Sequence, residues 1–176
     1  MMHDDSGDSD RKIRGLIKDY CKTSFGALDS SFLCQSISAL SPKIPISVPP
    51  EMSLIEVAQV LAEQKIGCVL VVNSKGAVIG IFSERDCVRK IVAKGIALDS
   101  RTVGEFMTPD PVCQPADITV AYALNLMSHG GFRHLPLVDS DHLPIGIVSV
   151  KDVLDHLVNG FFDELLNFPV EEEGAP

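Results

Sequence analysis

The sequence predicts an α+β fold of two gapless β-α-β-β-α repeats packed with pseudo-twofold symmetry, plus an N-terminal extension and a C-terminal helix. Three observations carry that prediction. Residues 45–92 overlay residues 111–158 with no insertion or deletion, and only two copies exist, which suits a paired unit rather than an array. The run Ala-Val-Ile-Gly-Ile-Phe-Ser-Glu-Arg-Asp at 77–86 returns 66 residues later as Leu-Pro-Ile-Gly-Ile-Val-Ser-Val-Lys-Asp at 143–152. Both runs pass from a β-branched strand through a glycine to Ser-x-x-Asp, and then into an apolar helical pattern.

The elements follow in order. A short strand (46–48; 112–114) precedes Pro49 or Pro115. The first helix opens on the capping box Ser53-Leu54-Ile55-Glu56 and its twin on Asp117; Gly67 ends the first and Gly130-Gly131 the second. Central strands at 68–72 and 135–138 turn through 73–76 and 139–142 into the motif strands. Their near-continuous apolar character predicts sheets covered by helices. The predicted divisions are an extension at 1–42, repeats at 43–94 and 111–158, a linker at 95–110, and a C-terminal helix with acidic tail at 159–176. Within the extension, residues 1–10 read as disordered and 11–21 as a short amphipathic helix. Residues 22–42 have apolar positions that predict packing without naming the surface.

Composition bounds the function. A chain of 176 residues holds one domain or a fused pair, and 45% apolar residues suffice for a core. A net charge of −9 argues against a nucleic-acid partner. No apolar run reaches the length of a membrane span, and the acidic start is unlike a signal peptide. The five cysteines are odd in number and widely spaced. They predict neither a zinc site nor a disulfide framework, and they suit a reducing, cytoplasmic compartment. An enzymatic reading finds no organised nucleophile or base. Cys87 has no local histidine partner, His129 and His134 lack ligand spacing, and the phosphate-binding glycine motifs are absent.

Ser-x-x-Asp at the mouth of a helix gives a serine that caps the helix and a carboxylate that accepts from hydroxyls. One copy reads as an ordinary cap; two copies in register point to a ribose. Ser83 and Asp86 form one candidate site, and Ser149 and Asp152 the other. Arg133 and His134, just before the second central strand, are candidate donors to phosphate. Their twins Gly67 and Cys68 are candidate ligand contacts at the matching place and bring no charge. Lys151 and Arg85 add positive charge beside the motifs. Ile46, Val48, Val112, Cys113, Ile81 and Ile147 are candidates for the apolar lining of a ligand slot, and each also reads as core.

The duplicated motif, Phe-Arg-His-Leu-Pro-Leu-Val-Asp at 132–139 and Phe-Met-Thr-Pro at 106–109 together resemble a tandem pair of cystathionine-β-synthase (CBS) domains over residues 43–160. The resemblance implies a regulatory module with no catalytic cofactor. Its clefts between the repeats would take an adenosine nucleotide, AMP or ATP ahead of ADP, NAD or S-adenosylmethionine. It places Ser149 and Asp152 on one ribose and Ser83 and Asp86 on a second, with Arg133 and His134 near the pseudo-twofold axis. It also implies a disc-like homodimer that signals to a protein effector. The alternative is a dimerisation or docking scaffold whose clefts stay empty.

Overall fold

The computed structural model of the chain describes residues 31–166, and the 66-residue repeat reappears there as a repeat of hydrogen bonds. The expectations for residues 1–21 and for the acidic end lie outside the described residues. After a short helix α1 (Ser31–Cys34), a 3-10 turn at Ile37–Leu40 is capped by Ser36. Ile37 is fully buried; its N–H donates to Ile118 O at 2.8 Å, and Val120 N–H donates to Gln35 O at 3.0 Å. The linker does the same for the other repeat. Val103 N–H donates to Met52 O at 2.9 Å and Leu54 N–H to Arg101 O at 3.0 Å. Each segment that precedes a repeat therefore docks on the opposite repeat, and the two halves interlock. This is the surface against which residues 31–42 pack.

Repeat 1 comprises β1 (Ser47–Val48), α2 (Leu54–Gln64), β2 (Cys68–Val72), β3 (Val78–Ser83) and α3 (Glu84–Asp86). Helix α3 runs into a π-helical turn at Cys87–Ile91 and a 3-10 turn at Val92–Lys94. The linker contributes β4 (Thr108–Pro109). Repeat 2 comprises α4 (Val120–Gly130), β5 (His134–Val138), β6 (Pro144–Ser149) and α5 (Val150–Leu166). The first sheet has the order β1-β2-β3-β4, with β1 parallel to β2 and the other pairs antiparallel. The second is the antiparallel pair β5-β6. Its flanking partners are single bridges, Gln114 to Leu137 and Lys43 to Ile147. Proline explains part of this difference. Leu70 N–H donates to Ile46 O, but the twin of Leu70 is Pro136, which has no N–H to give.

Two helix ends differ from expectation. Helix α4 is capped by Thr119, whose hydroxyl accepts from Tyr122 N–H, rather than by Asp117. Thr119 is the twin of the first cap, Ser53, so the gapless register wins over the local preference for aspartate. Helix α2 ends at Lys65, which adopts the left-handed conformation (φ 51°), before Gly67 is reached. The cysteines also depart from expectation: Cys34 is disulfide-bonded, whereas Cys68, Cys87 and Cys113 are free. An odd count leaves room for a bridge, and wide spacing does not forbid one.

Three apolar clusters hold the fold. One joins Val57, Val69, Phe82 and Val103 in repeat 1, and a second joins Ile37, Ala123, Leu135 and Val148 in repeat 2. The third, Leu70, Val78 and Val138 flanked by Ile81, Cys113 and Ile147, lies between the repeats. The strands are thus apolar on both faces for a reason the sequence reading missed. One face meets helices, and the other meets the second sheet. The motif glycines allow the crossing segments to lie close: a Cβ at Gly80 would stand 2.2 Å from Met107 Sδ, and one at Gly146 3.0 Å from Pro42 Cβ.

Candidate functional site

The interlock leaves two clefts related by the pseudo-twofold axis, with volumes of ≈ 410 and ≈ 440 Å3. Both fall within the ~300–1,000 Å3 typical of small-molecule sites. Ser83, Asp86, Ile81 and Val112 line the first, and Ser149, Asp152, Ile147 and Ile46 line the second. Each motif carboxylate sits where a strand turns into a helix. Asp152 Oδ2 accepts from Ser149 N–H at 2.7 Å and from the Ser149 hydroxyl, while Oδ1 accepts from Lys43 Nζ at 2.9 Å. Asp86 Oδ2 likewise accepts from the backbone and hydroxyl of Ser83. Its Oδ1 is 2.9 Å from Lys90 Nζ and 3.4 Å from Thr108 Oγ1.

Burial by itself would raise both carboxyls. The Ser149 hydroxyl and the Lys43 ammonium overrule it at Asp152, and the Ser83 hydroxyl and Lys90 do so at Asp86, so both are held below the ordinary carboxylate value. Both are ionised acceptors near neutral pH, the state that binds a vicinal diol.

Arg133 and His134 border both clefts. The Arg133 side chain has no ion pair or hydrogen bond among the described residues. Burial, followed by the Arg133 charge, pulls the His134 imidazole below its ordinary value. Near neutral pH it offers one ring N–H and no charge. A Cβ at Gly67 would stand 2.9 Å from His134 Cε1 and Nε2, so this glycine gives the ring its place on the axis. Burial, with Asp86 and Glu84 nearby, pushes the Cys68 thiol up to about 12; it lines the second cleft as an un-ionised thiol. Lys151 lines that cleft too but pairs with Asp155.

Val48 and Cys113 are not brought to either cleft. Val48 is buried in the core of repeat 1, and Cys113 packs between the sheets beside a shallow hollow on the other side. The sequence reading missed Lys43, Lys65, Arg89, Lys90 and Asp110. Lys90 had a signal, since it lies one helical turn beyond Asp86. Lys43 had none, because only the crossing of the extension onto repeat 2 brings it to Asp152. Among the described residues no cluster of His, Cys, Asp or Glu is placed to hold a metal ion, and no helix is long and apolar enough to cross a membrane.

The CBS domain model matches residues 37–93 and again residues 103–159. The chain belongs to the CBS-domain family. The two CBS matches start 66 residues apart, the same period as the hydrogen bonds. An uncharacterized protein of Methanopyrus kandleri is 33% identical over 139 residues, covering 77% of this chain and 71% of its own length. The match to the CBS domain-containing protein CBSCBSPB5 of Arabidopsis thaliana, also 33% identical, spans only 19% of that longer relative. Among solved structures, a CBS-domain-containing protein of Agrobacterium tumefaciens superposes with TM-score 0.61 at 33% identity, covering 68% of this chain and 94% of that one. The CBS domain pair of protein MJ0100, crystallised with methylthioadenosine and S-adenosyl-L-methionine, superposes with TM-score 0.65 at 25% identity, covering 73% of this chain and 98% of that one.

Proposed function

We propose that this CBS pair is a regulatory module, not an enzyme, that binds an adenosine nucleotide between its repeats and passes the signal to a protein effector. One observation carries the reading. Each cleft has an ionised Ser-x-x-Asp carboxylate from one repeat together with the opening residues of the other, Ile46 in the second cleft and Val112 in the first, where Arg133 joins them. A ligand seated there touches both halves, so its affinity depends on how they sit. It shifts their arrangement by the difference between its affinities for the two states. The solved pair with adenosine-containing ligands supports the adenosine class. The exposed Arg133 favours AMP or ATP, because a guanidinium pairs with phosphate oxygens.

One observation favours the scaffold reading: both motifs already close as complete caps, with Lys43 and Lys90 on the outer carboxylate oxygens. Thermal unfolding decides between them. At ~100 times the dissociation constant, a nucleotide adds about 2.7 kcal/mol to the native state, a rise of several degrees in midpoint. A rise with adenosine, AMP or ATP and none with GMP supports the sensor. No rise with any of them supports the scaffold.

We further propose a homodimer. Val88 and Val92 are 59% and 65% exposed, and their twins Leu154 and Val158 are 57% and 38% exposed. Such apolar positions, one turn apart and repeated by the pseudo-twofold, suit the self-complementary contact of a twofold dimer. Sedimentation is expected to give a dimer that Val88→Glu with Leu154→Glu converts to monomer. A wild-type monomer at tens of micromolar would overturn the proposal.

A further inference from the structure

The clefts share a backbone plan, but their cations do not correspond. Comparing twin positions shows how. Arg85 in the first cleft stands where Lys151 stands in the second, and Arg89 stands where repeat 2 has Asp155. The π-helical turn at Cys87–Ile91 replaces regular helix, and both Arg89 and Lys90 line the first cleft. Asp155 and His156 line neither cleft. Asp155 instead holds Lys151, and His156 stacks on Phe32.

We infer that the clefts differ in phosphate capacity: the Ser83–Asp86 cleft takes an adenosine ligand with two or three phosphates, and the Ser149–Asp152 cleft one with a single phosphate or none. This rests on the adenosine reading above and assigns its ligand class cleft by cleft. In the first cleft three guanidinium groups converge. Arg89 and Arg133 have no side-chain partner among the described residues, and Arg85 spends one N–H on Gly131 O at 2.6 Å. Each guanidinium has a planar fork of donors that matches phosphate oxygens. A chain of phosphates presents enough anionic oxygen for all three. Asp110, whose twin is the apolar Ile44, opposes this set with one carboxylate.

In the second cleft Lys43 is engaged by Asp152, Lys151 by Asp155, and Glu84 adds negative charge. Lys65 and the shared Arg133 are left for phosphate. A polyphosphate there meets a lysine point charge and one guanidinium, and it loses the guanidinium whenever the first cleft recruits it.

Calorimetric titration of the full chain with ATP and, separately, adenosine in magnesium-free buffer tests the division. Arg89→Ala is expected to weaken the tighter ATP site by roughly tenfold or more, with adenosine affinity unchanged. Arg89→Lys, which keeps the charge and loses the fork, should fall between. Asp155→Ala, which frees the cleft-lining Lys151, is expected to tighten the weaker ATP site. ATP binding that is indifferent to both Arg89 variants, while ATP and adenosine still bind, overturns the division alone. A wild-type chain that binds neither ligand overturns the adenosine reading, and the division falls with it.

Discussion

A chain carrying Asp86→Ala and Asp152→Ala is expected to lose most of the rise in melting temperature that the nucleotide gives the wild type. Each carboxylate is the acceptor that a ribose diol needs, and a hydrogen bond to a charged group is worth about 1.5–3 kcal/mol. Two such bonds per cleft put the loss at roughly 100-fold or more. Ligand that added about 2.7 kcal/mol at 100 times its dissociation constant then adds about 0.4. The diol must first take the outer oxygen from Lys43 or Lys90. That step costs little, since such partly exposed pairs contribute about 0–1 kcal/mol. The alanines leave the serine caps in place but remove the carboxylate half of each capping box, so the Ser83 and Ser149 backbone N–H groups lose their acceptors and the melting point without ligand falls as well. Asp→Asn at both positions separates the effects, because the amide still accepts from serine but has lost the charge. An undiminished ligand shift in the asparagine pair would remove both carboxylates from the site.

Leu70→Ala carries the second large effect. Leu70 is fully buried at the centre of the cluster between the repeats, with Val78 and Val138. Truncation of a leucine in such a place costs about 2–5 kcal/mol, a large part of the stability of a typical domain. Its position distinguishes it from Phe82, which is equally buried but belongs to the core of repeat 1. Since each cleft is walled by both repeats, Leu70→Ala is expected to lose ligand affinity along with stability. Phe82→Ala is expected to lose stability first. Urea unfolding read beside nucleotide titration checks this. Leu70→Ala with wild-type affinity in the folded chain would show that repeat docking and cleft geometry are independent.

Much of this was legible in the residues. The capping box at Ser53, the bounds of the central strand at 68–72 and the glycine end at Gly131 are local, and each depends on side chains within a few positions of one another. The same holds for Ser83 with Asp86 and Ser149 with Asp152, which are three residues apart and close on themselves. The sequence held one further signal that a longer overlay exposes. Ser36, Ile37 and Leu40 stand 66 residues before Thr102, Val103 and Phe106, and these are the segments that dock on the opposite repeats.

The sequence by itself determined the twofold plan, because a gapless duplication forces like segments into like structures and hence two carboxylates into two equivalent places. Only the tertiary structure decided what faces them. Lys43 reaches Asp152 across 109 residues of chain, and Arg133 stands between two clefts that no local spacing relates. Cys113, adjacent to the cleft-lining Val112, turns the other way into the core. Neighbours along the chain are fixed by covalent geometry and local propensity. Neighbours across the interlock are fixed by the burial of apolar faces, which carries polar side chains into positions that their own sequence context does not mark.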